Sequence, residues 1–145
     1  MTAPARLILV HKQRTSAMVR FLRYVDGIVA PEPFPKLSQV LGEDEQHRDE
    51  AKVGHVVAHP SMLVNQAAAR LGLDQGEIAV ETDFLSSVDT PDGVSAIYLG
   101  RITTIDPPFD AADKIDARFI NITEARDMSP SELELLRRAY LCVME

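Results

Sequence analysis

The chain has 145 residues, 46% of them apolar and 26% charged, with a formal net charge of −7. That length suits one domain spanning residues 1–145 with a real core, and the apolar content excludes wholesale disorder. The negative charge argues against a nucleic-acid partner, whose phosphates require a basic face.

The N-terminal run MTAPARLILVHK is too short and too little apolar for a signal peptide. No stretch approaches the ~18 apolar residues of a membrane span. The expectation is a cytoplasmic protein with no membrane association. Arg6–Val10, RLILV, reads as a short strand. Residues 18–25 satisfy two patterns. Ala17, Met18, Phe21, Leu22 and Val25 share a helical face that Thr15 or Ser16 can cap. Val, Phe and Tyr enrichment, a turn at Asp26-Gly27, and pairing with Arg6–Val10 across a short loop favour a strand, which is the reading taken here.

Pro31, Pro33 and Pro35 each fix φ and remove a backbone donor, and the segment after Gly42 is highly charged. Residues 28–52 therefore read as a Pro-rich and acidic loop region. Five of the 22 acidic residues lie between Glu43 and Glu50. Residues 53–58 read as a strand. Ser61 is expected to cap a helix ending at Leu71, with Met62, Leu63, Ala67 and Leu71 inward and Gly72 as its left-handed stop. Ile78–Leu85 reads as one strand, DTPDG (89–93) as a hairpin loop, and Val94–Ile105 as the clearest strand. IDPPFDAAD (105–113) reads as a loop, Ile115–Ile122 as a strand, and 123–128 as a helical turn.

Ser129-Pro130-Ser131-Glu132 is a capping box for a last helix reaching about Val143. Leu133, Leu136, Ala139, Tyr140 and Val143 form its expected buried stripe, with Arg137 and Arg138 answering the C-terminal dipole. Cys142, the only cysteine, reads as a small buried apolar residue, so no disulfide and no thiolate zinc cluster can form. The order of elements implies an α+β domain, a mixed β-sheet sandwiched by helices.

From residue 53 to 143 the chain resembles the Nudix fold. The pieces that carry the resemblance are NQAAARLGL, then EIAVETDFLSSVDTPDGVSAIYLGRI, then ARFINITEARDMSPSELELLRRAY. The resemblance implies an αβα sandwich. The family's box, G-x5-E-x7-R-E-U-x-E-E-x-G-U with U a bulky apolar residue, aligns on Gly72-Leu73. It then places Ala51 at the first glycine and Val57 at the first glutamate. Asn65 and Gln66 stand for the Arg-Glu pair, and Ala69 and Arg70 for the Glu-Glu pair. Those carboxylates hold divalent metals, which Ala and Gln cannot do and which Arg70 repels. The box is degenerate.

Three readings follow. The first is a catalytically degenerate Nudix-like binding or interaction domain for a nucleotide-type ligand, with no cofactor. Its ligand-binding candidates are Arg20, Arg23, His55, Arg101 and Glu124. Arg14, Arg20, Arg23 and Lys12 give the first quarter a basic cast, and Arg101 is the better single candidate if its side chain reaches a pocket. The second is a diphosphate hydrolase using Mg, with carboxylates relocated to Glu45, Asp49 and Glu50. The third is a structural protein, a homodimer joined through exposed apolar positions of the last helix. His55 and His59, four apart, and His11 offer too few ligands for a metal site.

Overall fold

The computed structural model describes residues 4–42 and 59–144. The expected strand at 53–58, His55 and the acidic run with Glu45, Asp49 and Glu50 lie outside the described residues.

A mixed seven-stranded sheet organises the described chain: β1 Arg6–Lys12, β2 Val19–Arg23, β3 Gln39–Val40, β4 Ile78–Val80, β5 Ser86–Thr90, β6 Gly93–Ile102 and β7 Arg118–Ile120. The order across the sheet is β3-β5-β6-β1-β2-β7, and β4 shares with β5 the edge of β6 that faces away from β1. Among the described residues the only parallel pair is β1 with β6, in register from Arg6 opposite Ile97 to Val10 opposite Arg101. Among the described residues three α-helices flank the sheet: α1 Pro60–Leu71, α2 Phe109–Lys114 and α3 Pro130–Met144.

Side-chain alternation splits the core between the two faces of the sheet. Ile8 and Val10 join Phe21, Ile97, Leu99 and Ile120 beneath Leu135, Leu136, Ala139 and Val143 of α3. Leu7 and Leu9 join Leu22, Ile78 and Ile102 beneath Leu63, Val64, Ala67 and Leu71 of α1 and Ala112 of α2. β1 is covered on both faces, which is why RLILV is apolar throughout rather than alternating. Each of its four aliphatic side chains is at most 1% exposed, and each such burial contributes about 1.5–3 kcal/mol.

Residues 18–25 contain a strand, β2, held antiparallel to β1 with Val10 opposite Phe21. The expected single strand over 78–85 is instead two strands. Between Val80 and Ser86 lie five residues, while the partner strand has two between Gly100 and Ile97, so three residues loop out. The loop turns Phe84 into the core under α3, a contact that continuous pairing would forgo. β5 then runs through Ser86–Thr90, and the hairpin turn narrows to Pro91-Asp92. The expected loop over 105–113 ends in a helix, α2. Pro107 and Pro108 precede it, and the Pro108 carbonyl accepts from Ala112 N. The strand expected over 115–122 shrinks to β7, because Asp116 adopts φ 57° and breaks the extended run.

The cap of α1 is His59, not Ser61: the His59 Nδ1 accepts from the Ser61 amide at 3.2 Å. Pro60 takes the first helical position, where a missing amide is harmless. Met62, expected inward, is 53% exposed, and Val64 and Ala68 are buried in its stead. Gly72 ends the helix at φ 69°, as expected. On α3, Ser129 Oγ accepts from Glu132 N at 3.3 Å. The Glu132 carboxylate accepts from the Ser129 hydroxyl and, at 3.1 Å, from Ile28 N, which fastens the helix to the turn after β2. Gly27, at φ 139°, is required there, since a Cβ would land on that carboxylate. Leu135, absent from the expected stripe, is fully buried, while Leu133, Tyr140 and Cys142 are half-buried. Arg137 and Arg138 pair with Glu134 rather than with the helix end. The hydrogen bond from Arg137, and to a lesser degree that from Arg138, pull the Glu134 carboxyl down to about 2.

Candidate anion-binding site

The four described ligand candidates, Arg20, Arg23, Arg101 and Glu124, do not converge. β2 alternates, so Arg20 and Arg23 project to opposite faces. Arg20 lies opposite His11 on the α1/α2 face, donates to Gln13 Oε1 at 3.1 Å, and sits 5.7 Å over the Phe109 ring. Arg23 projects to the α3 face, where Asp127 takes both of its terminal nitrogens at 3.0 and 2.8 Å. That bidentate bond raises the pKa of Arg23 and lowers that of Asp127. Glu124 closes a 3-10 turn at Ile122–Ala125 by accepting from Asn121 N at 2.9 Å, a capping role. His11 is fully buried, with Nε2 2.7 Å from the Thr104 carbonyl, so that nitrogen carries the proton; Nδ1 has no partner. Among the described residues no group of three or more His, Cys, Asp or Glu could hold a metal ion.

Arg101 does reach a pocket. It is the last residue of β6 paired with β1, and β1 ends two residues past its own last pair, at Lys12. Where these two parallel strands end, the chain leaves in two loops, 13–18 and 103–108. Between them opens a cavity of about 450 Å³ lined by Lys12, Gln13, Arg14, Arg101, Thr103 and Thr104, among others. Among the described residues of the lining three side chains are cationic and none is acidic. Carboxyl ends of parallel strands are a general location for ligand sites, because loops diverge there and leave a crevice.

The loops that form the walls are braced. Gln13 N donates to Met18 O at 2.9 Å, closing the first loop on itself. Gln13 Nε2 donates to Asp106 Oδ1 at 3.2 Å, joining the first loop to the second. Thr104 Oγ1 donates to the Asp106 carbonyl at 2.7 Å, and His11 holds Thr104 from the other face of the sheet. Lys12 Nζ lies 3.3 Å from the Val143 carbonyl at the end of α3, where a cation suits the helix dipole.

Arg101 also meets Glu81, which lies in the loop after β4 on the far side of β6 from β1. Arg101 Nε is 3.0 Å from Glu81 Oε2, with the two side chains 41% and 15% exposed. The buried Nε has no acceptor in line with its hydrogen, so this is a close charge contact and not an aligned hydrogen bond. Gln13, Thr103, Thr104 and Glu81 were not among the sequence candidates. Gln13 follows the legible strand at 6–10, whereas Thr103 and Thr104 fall inside the strand expected over 94–105, which ends at Ile102; Glu81 becomes visible only once the loop at 81–85 is known.

The aligned box positions on α1 tell a separate story. Gln66 and Arg70 border a cavity of about 50 Å³ with Tyr24, Ala30 and Pro31. The Arg70 guanidinium lies 4.9 Å over the Tyr24 ring. A second, open groove of about 650 Å³ runs between the end of α1 and α2, with Arg70, Lys114 and Asp110 on its rim. Its mixed charge gives a weaker case for anion binding than the strand-end pocket. No helix among the described residues is long and apolar enough to cross a membrane. No protein-family model matches the chain, and no curated protein matches it.

Proposed function

We propose that this protein is a binding domain for a phosphate-bearing, nucleotide-type small molecule, built on a Nudix-like αβα sandwich whose box has lost its carboxylates. The observation that carries the reading is the strand-end pocket, whose described lining holds Lys12, Arg14 and Arg101 and no acid. Guanidinium and ammonium groups are strong phosphate donors, and Thr103 and Thr104 add hydroxyls at the rim. On α1, Ala69 and Arg70 occupy the positions of a metal-holding pair, so the ligand is held by fixed cations rather than through magnesium.

Isothermal titration with AMP, ADP and inorganic phosphate, each with and without magnesium, tests the proposal. Binding should not require the metal. Replacing Lys12 and Arg101 together by Ala should weaken it about 100-fold, since each hydrogen bond to a charged group contributes about 1.5–3 kcal/mol. Absence of binding at millimolar ligand, or equal binding by the double variant, sinks the reading. Magnesium-dependent hydrolysis of ADP would replace it with the hydrolase reading and direct attention to Glu45, Asp49 and Glu50.

A further inference from the structure

We infer that the strand-end pocket takes the phosphate monoester of a polyol, and that Thr103 and Thr104 receive the hydroxyls of that polyol. The inference rests on the anion-binding reading of the pocket and goes on to name the chemical class of the group that carries the phosphate.

Two hydrogen bonds fix the role of the threonines. Thr103 Oγ1 lies 3.2 Å from the Gly76 carbonyl, and Thr104 Oγ1 lies 2.7 Å from the Asp106 carbonyl. A carbonyl has no proton to give, so each hydroxyl donates, and its single proton is spent. What each threonine keeps is its oxygen lone pairs. Both bonds are exposed, and among the described residues no donor reaches either oxygen. Turning either proton toward a ligand would strip a carbonyl of its partner, and at Thr104 it would also untie the 103–108 loop. Toward the pocket, both threonines are therefore acceptors.

The cations of the lining are of the opposite kind. Lys12, Arg14 and Arg101 have donors and no acceptor. Lys12 gives one proton to the Val143 carbonyl and keeps two. The described lining thus has a donor part, from β1, the 13–18 loop and β6, and an acceptor part just past the end of β6. A fully ionised phosphate monoester offers acceptors only. It answers the cations, but it would meet the lone pairs of Thr103 and Thr104 with lone pairs of its own. A ligand that satisfies both parts needs donors beside its phosphate. Ammonium groups there would be repelled by Lys12, Arg14 and Arg101, whereas hydroxyls bring no charge. Acceptors on consecutive residues suit neighbouring hydroxyls of one carbon chain.

The test is titration calorimetry of the full chain at pH 8 with ribose 5-phosphate, glycerol 3-phosphate and n-propyl phosphate. Each ester is doubly charged there, its second pKa being about 6, so charge does not separate them. Glycerol 3-phosphate and n-propyl phosphate share a three-carbon chain and differ only in two hydroxyls. The polyol esters should bind about tenfold more tightly than n-propyl phosphate, the yield of two neutral hydrogen bonds of ordinary strength. The tighter of the two polyol esters identifies the source of the hydroxyls, a sugar or a glycerol backbone. Thr103→Val with Thr104→Val removes both oxygens and should reduce the preference to about twofold or less. Thr103→Ser with Thr104→Ser keeps the oxygens and should retain it. The readout is the ratio of affinities within one variant, which a general loosening of the pocket does not move, because it weakens every ester alike. Thr103→Val alone serves if the double valine variant fails to fold, since Thr103 is exposed. Equal binding of polyol esters and n-propyl phosphate, or a preference that survives loss of the oxygens, overturns the polyol reading while sparing the anion site. Failure of all three esters to bind overturns both.

Discussion

Gly100 sits at a point of the sheet where side chains from two neighbouring strands leave no room for a Cβ. It pairs with Leu9 on β1 and with Val80 on β4. A Cβ built there lies 2.9 Å from Leu9 Cδ2, 3.1 Å from Ile78 Cγ2 and 3.5 Å from Leu7 Cδ1. Leu9 is fully buried and Ile78 nearly so, so neither can swing into solvent. Overpacking of a tight core costs about 1–3 kcal/mol, partly offset by about 0.4–1 kcal/mol from the stiffer unfolded chain of an alanine. Gly100→Ala should therefore destabilise by about 1–2 kcal/mol. Leu9→Ala alone should cost about 2–5 kcal/mol, mostly for the cavity it leaves. In that background the nearest obstructing methyl is gone, and the added Cβ partly fills the hole. Gly100→Ala should then be neutral or stabilising, a coupling of at least about 1 kcal/mol. Urea unfolding of the four proteins by circular dichroism measures it. Strict additivity would refute the steric account, as would a Gly100→Ala variant as stable as the parent.

Burial raises the Tyr24 hydroxyl to about 12 from an ordinary 10, against a smaller opposing pull from Arg70. A raised folded pKa means a contribution that is complete below pH 10 and is lost as pH climbs toward 12. Two units correspond to about 3 kcal/mol. Tyr24→Phe should match the parent at pH 9 and exceed it by an amount approaching that figure near pH 12, read from urea midpoints; parallel pH profiles would contradict the assignment. Arg6, 3% exposed, donates to the carbonyls of Pro4, Glu32 and Pro33 and to Ser95 Oγ, and lies 5.0 Å over Phe34. Arg6→Ala should cost at least about 3 kcal/mol through orphaned acceptors and increase proteolysis within 30–38; a change below 1 kcal/mol would show the loop holds itself. Glu132→Ala removes the acceptor of Ile28 N and of the Ser129 hydroxyl. It should lower stability by about 1–3 kcal/mol and speed amide exchange at Ile28, which unchanged exchange would disprove.

What could be read from the residues was the part governed by local rules. RLILV, the strand expected over Val94–Ile105 and found to end at Ile102, the Gly72 stop and the Ser129 cap each combine a pattern with punctuation that one chain segment supplies alone. The misreadings occur where a distant partner decides. The 78–85 run looks continuous, yet Phe84 has a better place under α3 than on an edge, and the strand breaks to put it there. Met62 fits the helical stripe of α1, but the sheet beneath selects Val64 and Ala68. The site followed the same division. Arg101 stands out as a lone cation on a legible strand. Its meeting with Lys12 and Arg14 depends on β1 and β6 ending side by side, which no spacing in the sequence records. Arg23, also a candidate, is taken by Asp127 in the fold.

The parallel pairing of β1 with β6 also has a kinetic side. The hairpins β1/β2 and β5/β6 join near neighbours and can form early. Their union brings Arg6 to Ile97, roughly ninety residues along the chain. The entropy of closing such a loop must be met before any of the central ladder is gained. Docking of the two hairpins is thus the expected slow event. Leu7, Leu9, Ile97 and Leu99 form the seam at which a substitution should retard folding itself, whereas changes in α3 should chiefly hasten unfolding. The strand-end pocket, which needs both partners of that seam, comes into being only when the slow step is complete.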